Sequence, residues 1–499
     1  MKRRTLLVGG LAAAGAVVGA AALALRSHHS GDMGSGMMGS GMGGMGSAGF
    51  PFAPKGGEPF RAPPLLDAGS GRLSLTTMAG HTRFAGGAPT PTMGFAQTYL
   101  GPTIRMKRGR EIAAQVANGT RVPVSVHWHG LNVPSDADGG APQSAIRPSG
   151  RWSPTLPVDQ PAATLWYHTH VHGRTAPDMW AGLAGAIILE DGDETGLPSD
   201  YGRDDLVLLC QDKTFDEAGR AVYAPGMMGL MHGTAGTVLV VNGQIAPVAR
   251  VPAGPVRLRF INASNGALHR FAFKRPAYLI GVDQGFLPAP VEITELRLSP
   301  GERAEVVIDM GEGGTSTVGA SIAPAGGMGM MGGGAGRANA LTFTVDASMP
   351  VRATLPSKLP AASTDMDEPV ATRRFRLESN MGPMQMVRRA VGRGPVMSIN
   401  GEAYDPARTA FTASLGTVER WTVETGGMPH PFHAHGVKFR LADPRRPEET
   451  GWKDVAYVEG RRDLIVSIDA PARDGHPFMF HCHILEHEDA GMMGQFLTV

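Results

Sequence analysis

The sequence predicts an all-β protein made of three consecutive β-sandwiches, and three observations carry that expectation. Stretches such as residues 256–260 and 418–423 alternate or nearly alternate apolar and polar side chains, the period of a half-buried strand. Gly and Pro, 69 and 39 of 499 residues, punctuate the gaps, and no long helical period intervenes. A pattern also recurs at domain scale. Gly109 precedes strand-like residues 111–116, Gly254 precedes 256–261 and Gly416 precedes 418–423, at spacings of 145 and 162 residues. Asn242-Gly243 and Asn400-Gly401 turns stand ahead of the second and third copies.

Composition bounds the function. Apolar residues make up 42% and charged residues 18%, enough to bury a core in each of about three domains of ~150 residues. A net charge of +1 offers no basic field for nucleic acid, and two cysteines exclude a disulfide scaffold. Twenty-seven Met and 17 His exceed what packing requires, and thioether is a soft-metal ligand.

The elements follow in order. Lys2-Arg3-Arg4 before an apolar run, with Ala22-Leu23-Ala24 as a cleavage site, reads as a twin-arginine-like signal over residues 1–27. No later apolar stretch is long enough to span a bilayer, so the mature protein is expected in the periplasm without stable membrane insertion. Residues 28–50, Met and Gly with Ser, read as a flexible tail. The sandwiches are expected at 51–195, 200–346 and 370–499. Met clusters at Met227, Met228 and Met231, at Met328, Met330 and Met331, and at Met381, Met384 and Met386 suggest a surface that handles copper(I).

Ten of the 17 histidines lie in four short clusters. In the strand Val124-Ser125-Val126-His127-Trp128-His129, alternation puts both imidazoles on one face. His168-Thr169-His170 repeats that device. His430-Pro431-Phe432-His433-Ala434-His435 and His481-Cys482-His483, followed by His487 and Met492, complete the set. A zinc site uses about four ligands; four same-face pairs serve several ions, and converge if the first and third sandwiches meet. In residues 478–483, Cys482 shares a face with Phe478 and Phe480 and enters the core, while His481 and His483 point oppositely. With His430, His487 and a weak Met492 thioether, Cys482 makes the ligand set of blue copper.

These motifs resemble the three-domain multicopper oxidases. His-Trp-His-Gly, His-Thr-His, His-Pro-Phe-His-Ala-His-Gly and His-Cys-His-x3-His-x4-Met all match, from about residue 50 to the C-terminus. Phe432 and the run from His483 to Met493 look most like the bacterial copper efflux oxidase branch. The resemblance implies three cupredoxin domains and four copper ions. Type 1 copper would take His430, Cys482, His487 and Met492, and type 2 copper His127 and His433. A type 3 pair would take His129, His168, His170, His435, His481 and His483. Asp138 and Glu488 match family carboxylates near the trinuclear cluster that handle protons, and His172 reads as a neighbour of the cluster or its channel. The branch also has an acid and methionines before the first type 1 histidine. Here Gly426 takes the acid's place and Met428 survives, which leaves Met328, Met330, Met331, Met381, Met384 and Met428 as candidates for substrate copper(I). The implied function is a monomeric oxidase that oxidises copper(I) in copper tolerance and reduces dioxygen to water. Its alternatives are a laccase-like oxidase of phenols and aromatic amines, and a non-enzymatic envelope or copper-buffering protein.

Overall fold

The structure, a computed structural model, describes residues 56–192, 196–327, 336–379, 397–473 and 475–499. The segments expected as signal and Met/Gly tail, and Met328, Met330, Met331, Met381, Met384 and Met386, lie outside the described residues. The chain is 49% strand and 7% helix, and it folds as three consecutive cupredoxin-like β-sandwich domains.

In the first, Arg72–Thr82, Thr90–Phe95, Arg110–Asn118, Arg151–Trp152 and Thr155–Val158 form one sheet. Leu65–Asp67, Thr103–Lys107, Ala163–His168 and Ala184–Glu190 form the other. The third has two five-stranded sheets, one containing Val418–Thr425 and Arg461–Ile468, the other His430–Ala434 and Phe478–Cys482. The middle domain is one continuous nine-stranded sheet. Its long strand Ala267–Val282 explains this: residues 267–272 pair with Thr315–Pro324, and residues 277–282 pair with Arg303–Asp309. One strand thereby serves both halves, with register shifts where the pairing changes hands.

The three repeated segments occupy matching places. Arg110–Asn118, Pro255–Asn262 and Val418–Thr425 each pair in parallel with an early strand of their own domain, and antiparallel with a later one. Alternation reports which strands face solvent. Arg72–Thr82 begins as a strict alternation of exposed and buried residues. Ala163–His168, Asp205–Lys213 and Phe478–Cys482 are buried at every residue, because their outer faces meet another domain or a covering segment. Each domain has its own apolar core. A further cluster of Phe84, Tyr99, Trp166, Val207, Leu209, Ile261 and Leu485 joins residues of all three. Among the described residues no helix is long and apolar enough to cross a membrane.

Candidate metal centre

The strand Phe478–Cys482 lies against His430–Ala434, with His433 opposite His481 and Phe432 opposite Cys482. That register places His433 and His481 together at the inner face and leaves Cys482 in the apolar core with Phe478, Phe480 and Met492. From the first domain, His127 pairs backbone to backbone with His168. The two ends of the chain therefore present their histidines to each other across one seam, all buried.

Ligand atoms converge in groups. His129, His168 and His483 form one triad, and His170, His435 and His481 another. His127 and His433 meet at 3.4 Å between their Nε2 atoms. Behind them His430 Nδ1, Cys482 Sγ and His487 Nδ1 lie 3.2–3.6 Å apart. Met492 is buried in the same core, and its carbonyl accepts from the Cys482 amide.

The outer nitrogens show what the inner ones are for. His127 Nδ1 faces the Asp138 carbonyl at 3.2 Å, His168 Nδ1 the Thr169 carbonyl at 2.8 Å, and His433 Nδ1 the Asp454 carbonyl at 2.8 Å. His481 Nδ1 faces the Cys482 carbonyl at 3.1 Å, His435 Nδ1 the Asp138 carboxylate at 2.8 Å, and His487 Nε2 the Met231 carbonyl at 3.2 Å. An oxygen acceptor behind the ring requires the N–H to point outward, which leaves the lone pair pointing in. Inner nitrogens then face one another, at 3.2 Å for both His170–His481 and His435–His481. Lone pairs so arranged repel unless a cation sits between them, and a set of imidazoles with one thiolate suits copper. Burial leads in holding His129, His168, His430, His433 and His435 well below the ordinary imidazole range, with the neighbouring imidazoles adding to it. Burial likewise lowers His170 and His487 to about 4 and His483 to about 3. The rings are thus neutral ligands at pH 7. Burial pushes the Cys482 thiol up, so thiolate there needs a metal to displace its proton.

Two carboxylates flank the cluster. Asp138 ends the short helix Ser135–Asp138, with Oδ2 at 2.8 Å from His435 Nδ1 and 3.4 Å from His127 Nδ1. A Cβ on Gly140 would collide with the His435 ring, so glycine is needed where the chain passes this pair. A cavity of about 380 Å³ reaches Asp138, His127 and His433. Glu488, in the helix Leu485–Asp489, accepts from the Thr175 hydroxyl at 2.7 Å and lies 3.2 Å from His481 Nδ1. Burial favours its protonated form, yet His170 and His481 beside it hold the carboxyl well below the usual range.

His172 does not join these groups; it is exposed, with its ring against Tyr404 at 5.1 Å. Met428 is half-buried and packs on Gly326 beside His232. Met227 and Met228 are exposed on the helix Gly226–His232, whose Met231 carbonyl backs His487. Sequence reasoning missed Asp454, Arg303 and Thr175. Their partners are far off in the chain, and only the charged Lys453-Asp454 ahead of the apolar strand Val455–Val458 gives any local sign.

Three sandwiches with histidine triads at the meeting of the first and last, and a His–Cys–His trio behind them, define a class. Two family models, both described as multicopper oxidase, match residues 76–194 and 372–499, and the chain belongs to this family. It is similar in structure to a bacterial laccase-like multicopper oxidase, CueO, of Ochrobactrum sp. (TM-score 0.80, 37% identity, covering 88% of this chain and 100% of that one). The McoA multicopper oxidase of Aquifex aeolicus gives a TM-score of 0.77 at 28% identity, with 89% and 100% covered. Among curated proteins it is similar to the cell division protein FtsP of Photorhabdus laumondii, 36% identical over 88% of this chain and 91% of that protein. FtsP of Escherichia coli is 35% identical over 88% and 93%.

Those curated relatives correct one expectation. An oxidase of copper(I) in copper tolerance, with a laccase-like oxidase as its alternative, does not follow from this family membership, because these curated relatives are named for cell division. The physical reason is that the same cupredoxin scaffold and histidine motifs carry different roles, which are set by the surface around them. On that surface, Gly426 stands where the copper efflux branch has an acid, and Met428 is the sole member of the expected copper(I) set among the described residues.

Proposed function

We propose that this protein acts in cell division in the bacterial envelope and holds copper in its core. The likeness to FtsP along nearly the whole of both chains supports the division role. The observation that carries the copper role is the set of imidazoles backed by oxygen acceptors, with their free nitrogens turned toward one another. Arg3-Arg4 and the apolar run after them support export to the periplasm by the twin-arginine route.

In this reading His430, Cys482 and His487, with Met492, hold a type 1 ion, and His127 and His433 a type 2 ion. The two triads hold a type 3 pair, four ions in all. The intact ligand set favours a second reading, that the loaded protein is an oxidoreductase and not a passive scaffold. Copper bound there supplies one-electron chemistry with dioxygen as the acceptor. The chain's share is connectivity and protons. Cys482 lies between His481 and His483, so three consecutive residues join the two regions through covalent bonds. Asp138, at the cavity, and Glu488, on Thr175, are carboxylates placed to pass protons beside the cluster.

Two measurements test the proposal. Metal analysis of the exported protein should find four copper ions per chain; a chain without copper ends the copper reading. Deleting the gene should lengthen cells, and the wild-type gene should restore them; normal division after deletion ends the division reading. Complementation with His168→Ala/His170→Ala separates the two roles, since full rescue would show that division does not need the cluster.

A further inference from the structure

Among the backed histidines of the two triads and the His127–His433 pair, His129 is turned the other way. Its Nδ1 faces His168 Nε2 at 3.4 Å, and its Nε2 points away from the cluster to Asp454 Oδ1 at 3.1 Å. His127, His168, His433, His435 and His481 are backed at Nδ1, all but His435 by backbone carbonyls. His129 is backed by a side chain from the far end of the sequence, which must itself be held. Arg303 of the middle domain holds it with a two-pronged ion pair, Nη2 to Oδ2 at 2.6 Å, and Gln284 donates to the same oxygen. Arg303 is in turn fixed by the Asp283 carbonyl at 2.8 Å, and all of these groups are buried. Gly130, next to His129, leaves room for the pair: a Cβ there would stand 2.6 Å from Arg303 Nη2 and 2.8 Å from Asp454 Oδ2.

We propose that Asp454, clamped by Arg303, is the positioning residue that aims His129 at its metal. The middle domain, which supplies none of the assigned ligands, would thereby control how tightly one position of the copper pair is held. The proposal rests on the copper reading above. A carboxylate behind a ligating imidazole fixes the proton on the outer nitrogen, orients the ring and strengthens the inner lone pair; loss of such a partner costs about 10–100-fold in metal affinity.

The test is a chelator titration of the copper-loaded full chain, reading copper per chain and the blue band of the Cys482 site together. Asp454→Asn should release copper from the His129–His168–His483 triad at about 10–100-fold lower chelator concentration than wild type, with the blue band retained. Merely structural damage would weaken both sites alike, and that outcome overturns the proposal. Asp454→Asn leaves Arg303 without its full counter-charge, so the paired variant Arg303→Met/Asp454→Leu, which removes both charges, is the second arm. It should show the same selective release. If either folded variant keeps its copper at wild-type chelator concentration, the proposal fails while the copper reading stands. Wild type that binds no copper at the triads overturns the copper reading, and this proposal with it.

Discussion

A single atom separates the roles of neighbouring residues in the His481-Cys482-His483 run. Replacing Cys482 Sγ by a hydroxyl leaves the inner-facing imidazoles untouched and removes the only soft anion in the trio with His430 and His487. The copper-loaded Cys482→Ser protein should therefore be colourless and still hold the other ions, which an absorption spectrum and metal analysis will show. An undiminished blue band would refute the ligand assignment. Gly130 acts at the same scale. It adopts φ +89° and sits against the Arg303–Asp454 pair. Gly130→Ala should cost about 1–2 kcal/mol from its backbone alone, with more from the displaced ion pair. A denaturant midpoint equal to wild type would refute that. The histidine pairs are legible in the sequence because a strand alternates, so His-x-His declares a shared face. Asp454 was not legible, because its meaning comes from Arg303 and His129, 151 and 325 residues away.

Short helices hold the strands' histidines in register. Thr175–Ala181 begins where Asp489, from the helix Leu485–Asp489, accepts from the Thr175 and Ala176 amides at 3.1 and 2.9 Å. The last domain thus caps a helix of the first, beside His170 and Glu488. Burial and the adjacent Glu488 raise the Asp489 carboxyl to about 7, against the pull of the Ala176 and Thr175 amides. Asp489→Asn keeps one acceptor but turns an NH2 toward the other amide, so it should lose part of the about 0.5–2 kcal/mol that Asp489→Ala loses. Equal losses in both variants by equilibrium unfolding would show that the cap needs both oxygens, and no loss in either would refute the cap. At this scale the three repeated strands were readable from alternation and spacing. The continuous sheet of the middle domain was not, since it depends on where Ala267–Val282 changes partner, which no local period encodes.

For the whole molecule the buried imidazoles make stability depend on pH. In the copper-free protein His170 and His487 titrate near 4, below the ordinary 6.5, because burial disfavours their charged forms. Between those values the unfolded chain binds more protons than the folded one, so stability is full above about 6.5 and falls as pH drops toward 4. Protons compete with copper for the same nitrogens only as pH falls toward 4, so the loaded protein should keep its metal through most of that window and release it at its acid end. Thermal unfolding between pH 7 and 4 should show a steep fall in Tm; a flat profile would mean that the rings are solvated. The distance along the chain between facing ligands has a consequence in time. His170 and His481 meet at 3.2 Å although 311 residues separate them. At about 5–20 residues per second of synthesis, the first half of the cluster waits roughly 15–60 s for its other half. The two triads and the His430–Cys482–His487 trio are therefore completed only by the last part of the chain to be made. On the copper reading, a chain cut short before residue 481 keeps the His127–His433 pair but lacks a ligand of each triad and Cys482, so the full set of ions acts as a proofreader of completeness.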